Sequence, residues 1–305
     1  MRLLVPLLLL TWPAAAEPRL VLPIDCELGE NCMIQHHVDL DPGPGVRDWT
    51  GGTLAYDGHN GTDFRLPDRA AMEAGVAVRA PAAGTVIGTR DGQPDRGLPQ
   101  RARMDGVECG NGVRIDLGEG WITQLCHMAR GSVAVRTGDR VAQGDLLGRV
   151  GLSGATEFPH LHMRIERDGA VVDPFRAGLW QDAPPYAPGG LLSAGFSDAM
   201  PDYEAVKAGT ADAAALPLDA PALVLWGAAF GAQPGDVIAL EILGPGGREV
   251  IAHEARLDRA QAQLFRAAGR PLRARRWRGG TYRGIVRMLR DGAEIDRIEI
   301  EIPVG

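Results

Sequence analysis

Of the seven histidines in this 305-residue chain, four fall in patterns that, together with one aspartate, suit metal chemistry. His59 and Asp63 stand four residues apart in Tyr56-Asp57-Gly58-His59-Asn60-Gly61-Thr62-Asp63-Phe64, where Gly58 and Gly61 permit a tight bend. Alone, such a pair more often satisfies backbone groups in a turn. His160 and His162 open the run Pro159-His160-Leu161-His162-Met163-Arg164-Ile165, which reads as the start of a strand. In a strand, residues i and i+2 share a face, so the two imidazoles lie side by side while Leu161 and Met163 face a core. His127 closes the run from Trp121, and a disulfide at the preceding Cys126 would hold that strand end in place. A catalytic Zn²⁺ takes three protein ligands from His and carboxylate and keeps a fourth position for water. His59, Asp63 and His162 meet that count with one ion per chain. His127 and His160 then remain to exchange protons with the water and to stabilise a developing oxyanion. Zinc lowers the pKa of its water to about 7, so the chemistry implied is hydrolysis of an amide or ester at neutral pH.

Such groups need a rigid scaffold, and the sequence predicts a mainly β one. Short Val/Ile/Leu-rich runs broken by Gly at 76–80, 84–88, 112–117, 121–127, 140–149 and 160–166 read as antiparallel strands, with Gly118-Glu119-Gly120 as a hairpin turn. Residues 92–106, rich in Arg, Pro and Asp, read as a surface loop between strands. The stretch 182–221, interrupted by Pro184-Pro185, Pro188-Gly189-Gly190 and Pro217, reads as a linker. Beyond it, alternation such as Arg297-Ile298-Glu299-Ile300-Glu301-Ile302 predicts strands with one buried face, and hence a small immunoglobulin-like β-sandwich over 222–305. The organisation expected is therefore a segment 1–16, an N-terminal segment 17–55, a first β domain 56–181, the linker and the sandwich.

Composition narrows the setting. The 32 basic and 39 acidic residues leave a net charge of −7, which argues against nucleic acid as a partner. Arg2, the apolar run 3–10 and Ala14-Ala15-Ala16 before Glu17 read as a secretory signal peptide, too short for the roughly 20 residues of a spanning helix. A lipoprotein would carry Cys where Glu17 stands, so a periplasmic chain without membrane span or lipid anchor is expected. In that oxidising space the four cysteines read as two disulfides. Three connectivities are open; pairing Cys26 with Cys32 closes a short loop, and Cys109 with Cys126 staples neighbouring strands, and these are preferred.

The stretch from Tyr56 to Phe175 resembles the catalytic domain of the lysostaphin/LytM-type zinc endopeptidases, which cleave peptide cross-links of peptidoglycan. The resemblance is carried in order by His59 and Asp63, Val78-Arg79-Ala80-Pro81-Ala82-Ala83-Gly84-Thr85-Val86, Gly110-Asn111-Gly112-Val113, Thr123 to His127, Gly138-Asp139-Arg140-Val141, Gly151-Leu152-Ser153-Gly154 and Pro159-His160-Leu161-His162. It implies a LytM-like fold, zinc held by His59, Asp63 and His162, catalytic roles for His127 and His160, and peptidoglycan stem peptides as substrate. Leu125 and Met163 stand where the family commonly has Tyr and Phe, which reads as a change of packing.

Relatives that keep the fold but lose ligands act as non-enzymatic activators of cell-wall amidases, and the full set of five competent residues favours the enzyme. Val78-Arg79-Ala80-Pro81-Ala82-Ala83-Gly84 also resembles biotinyl and lipoyl carriers, but those need a lysine on a hairpin and the chain's single lysine, Lys207, lies in the linker. His36 and His37 are adjacent on an extended segment, point to opposite faces and read as solvated. Asn31 and Asp41, upstream residues of a kind that can block a zinc site, read as surface loop. The Arg270, Arg273, Arg275, Arg276 and Arg278 cluster reads as a charged surface, and the sandwich as a module for docking the wall or a protein partner.

Overall fold

The computed structural model describes residues 17–97, 104 and 106–305, so the signal peptide expected at 1–16 lies outside the described residues. Its first module contains β1 (Met33–His36), β2 (Thr62–Arg65), α1 (Arg69–Ala74), β3 (Ala77–Arg79), β4 (Gly84–Arg90), β5 (Asn111–Gly118), β6 (Trp121–Met128), β7 (Arg140–Val141), β8 (Leu146–Arg149), β9 (His160–Arg167) and β10 (Ala170–Val171). One antiparallel sheet runs in the order β1-β2-β9-β6-β5-β4-β7, with β10 on β9, and β3 pairs with β8 beside it. Alternation explains its two faces. Leu161, Met163 and Ile165 of β9, Leu125 of β6 and Val113 and Ile115 of β5 are buried in a core with Phe64, Val78 and Leu147. Each such side chain contributes about 1.5–3 kcal/mol by leaving water. The alternate residues, His162, Arg164, Gln124 and Arg114, stand on the opposite face.

Residues 17–55 are built into this domain. Leu20 and Ile24 enter its core, β1 forms an edge of the sheet against β2, and Cys26 pairs with Cys32. The second disulfide joins Cys109 to Cys126 in β6. Of the predicted surface loop, Asp95 anchors the described part by accepting from the backbone N–H of Leu152 at 2.7 Å and of Arg130 at 3.1 Å.

The second module holds β11 (Gly190–Ser197), α2 (Tyr203–Ala208), β12 (Ala222–Ala232), β13 (Val237–Leu243), β14 (Glu249–Arg256), β15 (Gln261–Pro271), β16 (Gly280–Arg290) and β17 (Ala293–Val304). Its sheets, β11-β12-β15 and β14-β13-β16-β17, enclose Phe196, Leu223, Leu225, Leu240, Val286, Met288 and Ile302. The stretch read as a linker thus contains a core strand. Leu191 and Phe196 of β11 lie opposite Ala229 and Leu225 of β12, and flanking prolines and glycines masked this short apolar run. The outer face of β12 carries Trp226, Ala228 and Phe230, which pack with Val206 of α2 and with Met33 of β1. The two modules therefore share a buried apolar cluster. Among the described residues no helix is long and apolar enough to cross a membrane.

Candidate metal centre and the groove beside it

Antiparallel pairing of β2 with β9 sets Asp63 directly opposite His162, and the turn before β2 brings His59 onto the same spot. Asp63 Oδ1 lies 2.9 Å from His162 Nδ1 and 3.1 Å from His59 Nε2, and those two nitrogens are 3.2 Å apart. His59 Nδ1 is 2.6 Å from the carbonyl of His37; a carbonyl can only accept, so Nδ1 carries the hydrogen and Nε2 offers its lone pair. Lone pairs of three donor atoms thus converge in a buried place with a carboxylate, which suits a divalent cation such as zinc. The electrostatics carry the same demand for positive charge. Burial raises the Asp63 carboxyl, but the imidazoles of His59 and His160 outweigh it and hold the group well below the usual carboxylate range. Burial likewise pushes His59 down, yet the facing Asp63 leaves that imidazole raised.

Gly61 makes the approach possible. A Cβ at this position would sit 2.6 Å from the His162 ring, inside any real contact distance, so the bend between His59 and Asp63 leaves room only for hydrogen there.

The other two expected residues flank this group. His160, two residues before His162 on the same face, directs Nδ1 to the Phe158 carbonyl at 3.0 Å, and its Nε2 lies 3.3 Å from Asp63 Oδ1. His127 reaches the same face by breaking alternation: it adopts φ 61°, a left-handed conformation uncommon for a residue with a Cβ. The irregular pairing of β5 with β6 around it lets Cys126 and His127 both leave the core, while Leu125 and Met128 stay inside. Its backbone N–H donates to Cys109, and its Nδ1–H donates to the Ser153 carbonyl at 2.8 Å. Burial, with His160 and His162 alongside, holds the His127 imidazole well below its ordinary pKa, so it is neutral near pH 7. The His127 and His160 ring centroids are 4.6 Å apart.

His36 and His37 differ from expectation: both are buried. They do point to opposite faces, but each face is covered. A bulge between Ile34 and His36 sets His36 opposite Asp63, with Nδ1 2.9 Å from Asp63 Oδ2, the carboxylate oxygen turned away from His59 and His162. His37 enters an aromatic nest of Trp49, Phe175 and Tyr186, where burial pushes its imidazole down to about 4. No spacing in the sequence signals either contact, because both depend on pairing between segments distant in the chain. Asn31 and Asp41 are held within their own loops, accepting from the backbone of Glu27 and Gly43. Leu125 and Met163 are fully buried packing residues.

A groove of about 340 Å³ opens beside the group, lined by Tyr56, Asn60, Gln124, His127, His162 and Arg164 among others. His162, the half-buried member of the group, is the one that lines this groove.

Residues 57–174 match the sequence profile of Peptidase family M23. A stretch of 121 residues, 40% of the chain, is 29% identical to the peptidoglycan DD-endopeptidase ShyA of Vibrio cholerae. Over 99 residues, 32% of the chain, identity to the cell division protein DipM of Caulobacter vibrioides is 30%. These matches span only 23% and 15% of the two relatives' lengths. Among solved structures, the catalytic domain of lysostaphin from Staphylococcus simulans is similar over 46% of this chain and 86% of its own, at 19% identity and a TM-score of 0.29. On the profile match and the two relatives, residues 57–174 of this chain form a domain of Peptidase family M23.

Proposed function

We propose that the chain is an exported zinc endopeptidase that hydrolyses peptide cross-links of bacterial peptidoglycan. The observation that carries this reading is the convergence of His59, Asp63 and His162 within 3.2 Å of one another, at the edge of a groove that also holds His127. These three residues would hold the ion. When bound, zinc would supply Lewis-acid polarisation and a water with a pKa of about 7. The chain's own residues do the rest. His127, fixed as the Nδ1–H tautomer by Ser153, takes the proton of the attacking water at Nε2 and later returns it to the leaving amine. His160, whose Nδ1–H donates to Phe158, stabilises negative charge developing on the substrate carbonyl once Nε2 is protonated. The relative named as a peptidoglycan DD-endopeptidase supports the substrate class, and two disulfides with an apolar leader support export to an oxidising compartment. A non-enzymatic regulator with this fold is the rival reading, and the competent side chains at all five positions speak against it.

The test is digestion of purified sacculi by residues 17–305, disulfides intact and zinc supplied, with His162→Ala beside it and mass spectrometry of the muropeptides. Loss of cross-linked dimers with the wild type alone is expected. Persistence of those dimers with zinc bound would overturn the peptidase reading.

A further inference from the structure

Beyond the metal group, the same sheet face carries a row of side chains that the proposed hydrolysis does not use. Register places Arg164 of β9 opposite Gln124 of β6, and Gln124 opposite Arg114 of β5. This row lies two residues along from the pair formed by His162 and Cys126, about 7 Å at the rise of a strand. Arg164 lines the groove together with His127 and His162. A second cavity of about 230 Å³, lined by Arg90, Arg114 and Gln124, adjoins the first through their common residues Gln124 and Cys109. The row therefore forms the path by which an extended peptide would leave the metal position.

The charges along that path are specific. Glu166 binds two guanidiniums at once, Arg164 Nη2 at 2.5 Å through one oxygen and Arg114 Nη2 at 2.8 Å through the other. Glu166 is almost wholly buried, whereas Arg164 and Arg114 keep 28% and 46% of their side chains exposed. Two guanidiniums on one carboxylate leave a net positive charge, and Glu166 holds both in place while leaving other N–H donors unused. Arg164 Nε is among these, buried without a hydrogen-bond partner. Glu108 is the acidic member of the groove lining, and it is exposed and accepts from the backbone N–H of Met104.

We infer that Arg164, braced by Glu166 and Arg114, is a subsite for a free carboxylate of the peptide substrate within two residues of the scissile bond. The distance follows from peptide geometry, since consecutive residues of an extended chain advance about 3.3–3.6 Å. The subsite makes the proposed peptidase selective for the charge state of its stem peptide: a free carboxylate is held, and its amidated form is not. This rests on the reading of the groove as a peptidase site.

Two short uncross-linked stem peptides, identical except that one carboxylate is free or amidated, serve as probes. Their binding to the zinc-loaded chain 17–305 is measured by calorimetry. The wild type is expected to prefer the free carboxylate by about tenfold or more, the size of a charge-assisted hydrogen bond. Arg164→Gln should lose that preference while binding the amidated peptide as before, and Arg164→Lys should keep part of it. Arg114→Gln should also weaken the preference, because Glu166 would then neutralise Arg164 alone. Equal binding of both peptides by the wild type, absence of binding, or an undiminished preference in Arg164→Gln overturns the subsite. Should Arg164→Gln bind less zinc than the wild type, the comparison passes to Arg164→Lys, and loss of all preference there despite full zinc binding overturns it. Sacculus digestion run in parallel separates the two readings: cleavage without preference sinks only the subsite, and preference without cleavage sinks the peptidase, and with it the placement beside a scissile bond, while leaving carboxylate recognition by Arg164.

Discussion

Asp63 has neighbours on both sides, with Oδ1 facing the nitrogens of His59 and His162 and Oδ2 accepting from His36 Nδ1, and that asymmetry makes His36 a residue to test. A carboxylate ligand that is itself hydrogen-bonded is held in orientation, and loss of such a partner typically costs about 10–100-fold in metal affinity. His36→Ala is therefore expected to weaken zinc binding by that order, read by chelator competition, with His36→Gln recovering part of the loss. Zinc affinity unchanged in both variants would show that Asp63 needs no such support. Gly61 gives a second residue-scale prediction. The added methyl of Gly61→Ala must displace the His162 ring, so zinc stoichiometry should fall while the sheet, followed by far-UV circular dichroism, persists. Full zinc occupancy in that variant would mean the turn relaxes to accommodate the methyl.

At the scale of elements, the loop 48–54 and the β6 strand end are the pieces that hold the site from either side. Asp48 is buried and accepts from the backbone N–H of Thr50, Gly52 and Leu54, from the Thr50 hydroxyl, and from the Tyr186 hydroxyl at 2.8 Å. Burial raises its carboxyl, but the hydrogen bonds from Thr50 and Tyr186 prevail and leave it below the ordinary value. A carboxyl depressed on folding contributes stability above its unfolded pKa, about 3.9, and that stability is lost as pH falls through the lower folded value. Asp48→Asn should thus lower stability near pH 7 and flatten its decline below about pH 4. Parallel acid-denaturation curves for variant and wild type would contradict this. The Cys109 to Cys126 disulfide spans 17 residues and anchors the strand end that carries His127. Its loss through paired serine substitutions should cost about 3 kcal/mol in denaturant unfolding on the chain-entropy account. A cost near zero would place the constraint on His127 in the backbone hydrogen bond to Cys109 instead.

For the whole molecule, the contact between modules decides whether the peptidase domain stands alone. Met33 of β1 is buried against Trp226 and Phe230, and Arg65 of β2 reaches Gln263 of β15 at 3.1 Å. Arg65 also stacks on Phe158, and burial pushes its guanidinium down to about 10. A chain ending at residue 181 would expose Met33 and remove one partner of that buried cation. It is expected to unfold at a lower temperature than the full chain and, in calorimetry, to lose the cooperativity of a shared cluster. Equal melting temperatures would make the sandwich an independent module.

Much of the candidate site was legible in the residues because it rests on short-range geometry. The period of two in a strand puts His160 and His162 on one face, and a glycine-bearing turn brings His59 to Asp63, whatever the rest of the chain does. The alternating apolar runs that made the mainly β fold readable are local in the same sense. What no local pattern contains is register between distant segments. The bulge that turns His36 onto Asp63, the left-handed His127, the alignment of Arg164 with Arg114 across β6, and the strand β11 inside a proline-rich stretch each depend on which strand lies alongside and at what offset. The sequence by itself determined the two halves of the candidate group, the turn that brings His59 to Asp63 and the strand face shared by His160 and His162, because neighbouring residues need only the turn or strand they belong to, whereas the pairing of β2 with β9 that joins those halves is tertiary. Only the tertiary structure decided what braces that group and what lines its groove, because those contacts exist only after long-range pairing has chosen partners and burial has covered both faces of a segment that reads as exposed.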